Sequence, residues 1–287
     1  MSRRAHRLAA GGGYGLLLGL GILVFGFPLY WMMRGALIDQ ATWTQVPLVW
    51  VPGADQVSLT AFTDIFASTQ FRMGQVLLNT FTIAFMTMLC NVVFDCMAGF
   101  ALAKMRVPGK TLVLAGLLLT LMVPFEGLMV PLYLVVTKMG LANTLPGIVL
   151  PGAASAFCII LMRQFFLSVP DELLEAAIVD GADWGQIFFR IALPLAAPAV
   201  ATVAVITFLA GWESYIWPLL ITDPHSKFDV LQKVLAQATM VSQSGSTDTE
   251  WPWLMAAALI STAPPLILFV TCQRFFIAGL TGGALKG

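Results

Sequence analysis

The sequence predicts an all-α polytopic membrane protein: six transmembrane helices and one charged, helix-punctuated hairpin on the cytoplasmic side. Three observations lead there. Of 287 residues, 59% are hydrophobic and 10% charged, with a mean hydropathy of +0.87, whereas soluble domains carry about 25% charged residues. Apolar runs of about 20 residues, enough to cross a bilayer, can be placed six times, at roughly 11–33, 77–103, 111–132, 144–162, 195–221 and 253–276. Between the fourth and fifth runs, residues 168–198 carry dense charge together with cap and stop signals for short helices.

The first run follows Arg3-Arg4-Ala5-His6-Arg7. Its apolar stretch is too long for a secretory leader, and no small-residue cleavage pattern follows promptly, so it is expected to be a retained span. Residues 34–74 contain Pro47, Pro52 and Gly53 among several aromatics, which suits a partly folded outer loop, with Leu59–Phe66 as a short helix inside it. The second run ends in Lys104, Arg106 and Lys110, an inner anchor. Gly109-Lys110-Thr111 resembles the tail of a phosphate-binding loop, but such a loop needs glycine where Lys104 stands, so an intrinsic nucleotide site is discarded. Any ATP-driven step would belong to another chain.

Orientation follows from the lysines and arginines. With the amino terminus inside, the cytoplasmic set is Arg3, Arg4, Arg7, Lys104, Arg106, Lys110, Arg163, Arg190, Arg274 and Lys286, and the outer set is Arg34, Arg72, Lys138, Lys227 and Lys233. That places both termini and the 168–192 hairpin in the cytoplasm. The formal net charge of +0 gives no basic field for nucleic acid. Cys90, Cys96, Cys158 and Cys272 lie in apolar runs without metal-ligand spacing, as buried packing residues do, and His6 and His225 are too few for a histidine-based site.

In the hairpin, Ser168 offers a hydroxyl cap, Pro170 a pre-set first turn, and Asp171 and Glu172 acids for the positive end of a helix. Leu173, Leu174, Ala177 and Ile178 share one helical face, with Glu175 and Val179 off it. Gly181 is the expected left-handed stop, and Asp183 can cap a second helix whose apolar side is Ile187, Phe188 and Ile191. Such a hairpin needs a groove for its second apolar face, in its own bundle or in a soluble partner.

Three acids lie in or at the edges of apolar runs: Asp95, Glu126 and Glu213. An ionised carboxylate is costly in hydrocarbon, so each is expected to face a cavity, a partner helix or the interface. No basic residue stands at matching depth for a proton relay. Around Glu213, Trp212 and Tyr215 suit either a sugar face or an interfacial aromatic belt, and Pro218 would kink the fifth helix. Residues 222–252 form the next outer loop, whose Ser244, Gly245 and Ser246 suit an exposed, adaptable segment.

Glu175-Ala176-Ala177, Asp180-Gly181-Ala182, Ile191 and Leu193-Pro194 resemble the EAA loop of the membrane subunits of binding-protein-dependent ABC importers. Gly140–Gly147, Arg163–Leu173, Trp212–Pro218 and Gln273–Gly287 extend the resemblance, from about Asn79 onward, to the carbohydrate branch and its maltose-permease G-subunit type. What the resemblance implies is a type I ABC importer fold in a bacterial inner membrane, with the hairpin as a coupling helix seated in a cytoplasmic ATPase through Glu175, Ala176, Ala177, Asp180, Gly181 and Ala182. It also implies a second permease subunit, two ATP-binding subunits that hold ATP and Mg, an extracytoplasmic solute-binding protein touching the Ser244–Ser246 loop, and a carbohydrate substrate. No cofactor is implied in this chain itself. Trp212, Glu213 and Tyr215 are the candidate pathway residues, although the family commonly has asparagine where Glu213 stands. A secondary, ion-coupled carrier is the rival class; an enzyme would need convergent nucleophile, base or metal ligands, and none has usable spacing.

Overall fold

The computed structural model describes residues 3–69, 72–223, 226–243 and 250–284. In chain order the helices are α1 (Arg3–Ala36), α2 (Gln40–Trp43), α3 (Thr60–Ala67), α4 (Met73–Lys104), α5 (Lys110–Leu121), α6 (Phe125–Lys138), α7 (Leu145–Val149), α8 (Ala156–Leu167), α9 (Asp171–Val179), α10 (Trp184–Ile187), α11 (Leu193–Leu195), α12 (Ala197–Trp212), α13 (Ile216–Ile221), α14 (Leu231–Gln243) and α15 (Trp251–Ala284). A 3₁₀ turn over Leu150–Gly152 follows α7, and a π-helical segment over Phe188–Ala192 joins α10 to α11. No strand forms among the described residues; Ile38 and Val57 make a lone antiparallel bridge.

Three helical stretches are long and apolar enough to cross a membrane unaided: Leu17–Ala36, Met73–Lys104 and Trp251–Gln273. Three more spans arise only if bent pairs are each counted as one. These are α5 with α6, bent by 105°, Leu145–Gly152 with α8, bent by 48°, and Trp184–Leu195 with α12, bent by 81°. The expected straight third run is therefore broken. Pro124 supplies no backbone donor and disfavours the α conformation at Val123, so α5 stops at Leu121 and Pro124 caps α6. The fifth run is also cut, but at Glu213–Tyr215 and not at Pro218. Pro218 sits in the first turn of α13, where a missing donor costs nothing, and so starts a helix instead of kinking one.

The described residues pack as two units, Met1–Met73 with Val234–Pro264, and Gly74–Lys233 with Pro265–Gly287. The first is built on aromatic rings. Trp31 meets Trp43 and Trp50 edge-on at 5.9 and 5.8 Å, and Trp43 stacks on Trp251 at 5.8 Å. Arg34 is buried beneath them, its guanidinium 4.8 Å from the Trp31 ring, and its Nε donates to the Val49 carbonyl at 2.6 Å. Asp39 caps α2 by accepting from the Thr42 amide, and the short helix expected over Leu59–Phe66 is α3.

The second unit holds two cores. One gathers Cys96 and Phe100 of α4, Cys158, Met162 and Phe166 of α8, Leu174 of α9, Ile187 and Phe188 after it, and Ala199 and Val203 of α12. The other joins Ile83, Val136, Ile148, Val149, Trp217, Ile221 and Val230. Helices α4 and α8 cross at Gly99, where a Cβ would lie 2.7 Å from Met162 Cβ and 2.9 Å from the Arg163 amide nitrogen. Helices α4 and α12 cross at Gly211, where a Cβ would lie 2.8 Å from Ala84 Cα. Absent side chains at these two points let the backbones touch. Cys96 and Cys158 are buried and all four cysteines are free thiols.

Lys233 is 2% exposed and donates to Thr222 Oγ1, the Asp223 carbonyl and Asp229 Oδ1, tying Thr222 and Asp223 to Asp229. Asn79 on α4 adds to this by donating to the Lys227 and Asp229 carbonyls. This part of the predicted outer loop is thus internally cross-linked. Ser244, Gly245 and Ser246 lie outside the described residues.

Candidate functional site: a capped hairpin and a carboxylate-lined cavity

The hairpin begins differently from expectation. The Ser168 hydroxyl donates back to the Phe165 carbonyl, ending α8, and Pro170 occupies the N-cap of α9 with no side-chain cap bond. The role assigned to Ser168 passes to a distant residue. Lys104, the last residue of α4, donates to the Val169 carbonyl at 2.6 Å and pairs with Asp171 Oδ1 at 2.5 Å. Its ammonium is almost fully buried while Asp171 is largely exposed, so the link works chiefly as a peg from α4 into the start of α9.

The end of α9 follows the sequence closely. Gly181 has φ +84°, its amide donates to the Ile178 carbonyl, and the Ala182 amide donates to the Ala177 carbonyl. That pair of bonds is a Schellman closure with Asp180 at the C-cap. Asp183 then caps α10 in a reciprocal box with Gln186. Ala177 and Ala182 pack against the first core of this unit, beneath which Leu174 is 4% exposed. Leu173 and Ile178, expected inside with Leu174, are about half exposed.

The opposite surface is open. Glu175, Ala176 and Asp180 are exposed, Val179 is 87% exposed, and Phe189 is 63% exposed. A recess of about 720 Å³ between the end of α4 and the hairpin is lined by Lys104, Arg106, Asp171, Glu175, Ile178 and Trp184 among others. One side of the hairpin is therefore fixed in the core, and the other presents acids beside bare apolar side chains, the pattern of a docking surface.

A second site lies where α4, α6, the 152–155 break, α12 and the 213–215 break converge. It is a cavity of about 730 Å³ lined by Thr87, Asn91, Glu126, Ser155, Glu213, Ser214, Tyr215 and Trp217 with apolar neighbours. Of the three candidate pathway residues, Glu213 and Tyr215 line it. Trp212 does not: it is buried and stacks on Phe208 at 6.1 Å with 14° between the rings. Helical geometry explains the swap, since Trp212 still belongs to α12 and turns inward, whereas the break puts Glu213–Tyr215 on the cavity wall. Besides Tyr215, the aromatics on the wall are Phe125, which is exposed, and Trp217, which is buried and whose Nε1 donates to the Gly147 carbonyl at 3.1 Å.

The break at 152–155 explains two buried polar residues. Asn91 donates to the Gly152 carbonyl at 2.6 Å, and Asp95 Oδ1 accepts from the Ser155 amide at 3.1 Å, at the N-terminus of α8. They sit one helical turn apart on α4 and satisfy backbone groups that the broken helix leaves unpaired, so Asp95 is a structural acceptor here. Asp95→Leu should lower stability by about 1–3 kcal/mol by orphaning the Ser155 amide. Thermal unfolding of the purified chain in detergent checks this, and Asp95→Asn, which keeps the acceptor oxygen, should lose much less stability than Asp95→Leu.

Comparisons with known proteins bear on both sites. Residues 96–281 match the family of binding-protein-dependent transport system inner membrane components. The chain is 34% identical over 268 residues to the sn-glycerol-3-phosphate transport system permease protein UgpE of Yersinia pestis bv. Antiqua (strain Antiqua), covering 92% of this chain and 94% of that protein. Against the Salmonella typhi UgpE it is 34% identical over 267 residues, covering 92% and 93%. Among solved structures, a chain of a bacterial ABC transporter involved in the import of the acidic polysaccharide alginate superposes with TM-score 0.82 at 24% identity, over 96% of this chain and 99% of that one. A chain from an alginate transporter in complex with its pentasaccharide-bound periplasmic protein gives 0.59 at 18% identity, over 95% and 96%.

Proposed function

We propose, because this chain belongs to the family of binding-protein-dependent transport system inner membrane components, that its hairpin is the coupling element of an ATP-driven carbohydrate importer and its cavity part of the solute pathway. The chain is a multi-pass permease subunit with the all-helical fold of such importers. Its partners in this proposal are a sister permease, two ATPase subunits that bind ATP and Mg, and an extracytoplasmic binding protein that delivers a sugar or related solute. Both termini and residues 168–192 then face the cytoplasm.

The observation that carries this proposal is the two-sided hairpin. Leu174, Ala177, Ile187 and Phe188 fasten it to the bundle, while Glu175, Ala176, Val179 and Asp180 stay free to meet a cleft. Movement of that cleft would shift α9, and the rigid inner side would pass the displacement to α4 and α12 without local unfolding. Ala176 and Gly181 permit close approach, and Glu175 and Asp180 supply acceptors for charge-assisted hydrogen bonds. The chain itself makes or breaks no covalent bond.

The test is energetic. Proteoliposomes holding the assembled complex and its binding protein are expected to transport radiolabelled sugar only when ATP and Mg²⁺ are supplied on the ATPase side. Equal transport driven by a proton gradient without ATP would make the chain a secondary carrier.

A further inference from the structure

The charge of the cavity wall says more about the solute than the family does. Glu126, at the first turn of α6, and Glu213, at the break after α12, both line the cavity, and neither carboxylate accepts a hydrogen bond among the described residues. The hydroxyls of Ser214 and Tyr215 line it with them, likewise without a hydrogen-bond partner among the described residues. Of the other polar groups, Asn91 Nδ2 donates to the Thr87 and Gly152 carbonyls, the Thr207 hydroxyl to the Val203 carbonyl and Trp217 Nε1 to the Gly147 carbonyl, while Ser155 Oγ accepts from the Cys158 amide; Thr87 adds one more hydroxyl. No lysine, arginine or histidine is among the described residues that form the wall.

A phosphate or carboxylate is held by N–H donors or a cation, and the side chains of this wall offer two exposed acids and a few hydroxyls. A polyol or sugar hydroxyl, or a protonated amine, is a donor that a carboxylate accepts directly. The exposed Phe125 ring on the same wall adds an apolar surface of the kind a sugar face covers. The relatives in Yersinia and Salmonella are named for sn-glycerol-3-phosphate, an anion; the side chains here oppose one.

Resting on the importer function above, we propose that this cavity passes hydroxylated solutes that carry no phosphate or carboxylate, and that Glu126 and Glu213 impose this by charge. The negative field of two acids in a cleft raises the local concentration of cations and lowers that of anions, by about tenfold or more.

The test reads that field directly. In membranes holding the assembled importer, Ser214→Cys is labelled with a methanethiosulfonate carrying either trimethylammonium or sulfonate, and modification at position 214 is quantified by mass spectrometry. After normalising to the rates with a free thiol in solution, the cationic reagent is expected to react about tenfold faster or more, and the preference should fall toward unity with Glu126→Gln and Glu213→Gln together. Glu126→Gln alone should give an intermediate ratio. A ratio near unity, or one that the double neutralisation leaves unchanged, overturns the proposal. So does accumulation of glycerol 3-phosphate by cells in which this importer is the sole route. Either failure leaves the ATP dependence of uptake untouched, so the importer function is judged separately by the proteoliposome experiment.

Discussion

Glu175→Lys is expected to cut uptake and solute-stimulated ATPase activity by roughly thirtyfold or more while leaving the chain in the membrane at its normal level. Glu175 is exposed on the outer side of α9, beside exposed Asp180 and one turn from exposed Asp171, and makes no hydrogen bond among the described residues. Its removal therefore costs the fold little, and a surface substitution of this kind usually changes stability by less than about 0.5 kcal/mol. Reversing its charge against a cleft built for an acid should instead cost a few kcal/mol of docking, on the scale of a lost buried ion pair. Val179→Asp tests the same surface through its apolar part. Uptake in proteoliposomes, ATPase rate and co-purification of the ATPase measure the effect together; normal values of all three in both variants would place the docking surface elsewhere.

The largest effect on folding is expected from Gly99→Leu. A Cβ at Gly99 would stand 2.7 Å from Met162 Cβ, 2.9 Å from the Arg163 amide nitrogen and 3.1 Å from the Ile159 carbonyl oxygen. Two of these are backbone atoms of α8, which cannot turn aside as a flexible side chain would. The two helices must part, and the rings of Phe100 and Phe166, 5.4 Å apart edge-to-face beside this crossing, part with them. Overpacking of this type costs about 1–3 kcal/mol and occasionally more, enough to lower the yield of folded chain severalfold. Gly116→Leu in α5, where an added Cβ meets nothing within 4 Å, is the control and should be tolerated. Thermal unfolding in detergent and membrane yield read both.

These outcomes depend on features unequally visible in the sequence. The end of α9 and the start of α10 were legible, because Gly181 and Asp183 act over a few residues, where local sterics and hydrogen bonding decide, whereas the cap expected from Ser168 was not formed. The apolar runs were legible as membrane segments, but their breaks were not. Hydropathy averages over some twenty residues and passes smoothly through Pro124, through Ala153–Ser155 and through Glu213–Tyr215. Without the break, neither the inward turn of Trp212 nor the exposure of its neighbours can be read. Lys104 on Asp171 and the sharing of one cavity wall by Glu126 and Glu213 were invisible for another reason. Each joins segments far apart in sequence, and only packing brings them together. Lys104 did carry a hint, as a long basic side chain ending a helix, but it was read as an inner anchor.

If the hairpin couples as proposed, the peg from Lys104 decides what kind of lever it works. Force applied to α9 leaves it by two routes, through the ammonium into the last turn of α4 and through the chain across Ala196 into α12. Those two helices touch backbone to backbone where Gly211 meets Ala84, and both contribute wall to the cavity. The arrangement is that of scissors, with handles at Lys104 and Ala196 and a rivet at Ala84. Squeezing or spreading the handles would alter the width of the gap beside the rivet, so the stroke needed at the motor is set by leverage along α4 and α12 and not by how far the solute travels.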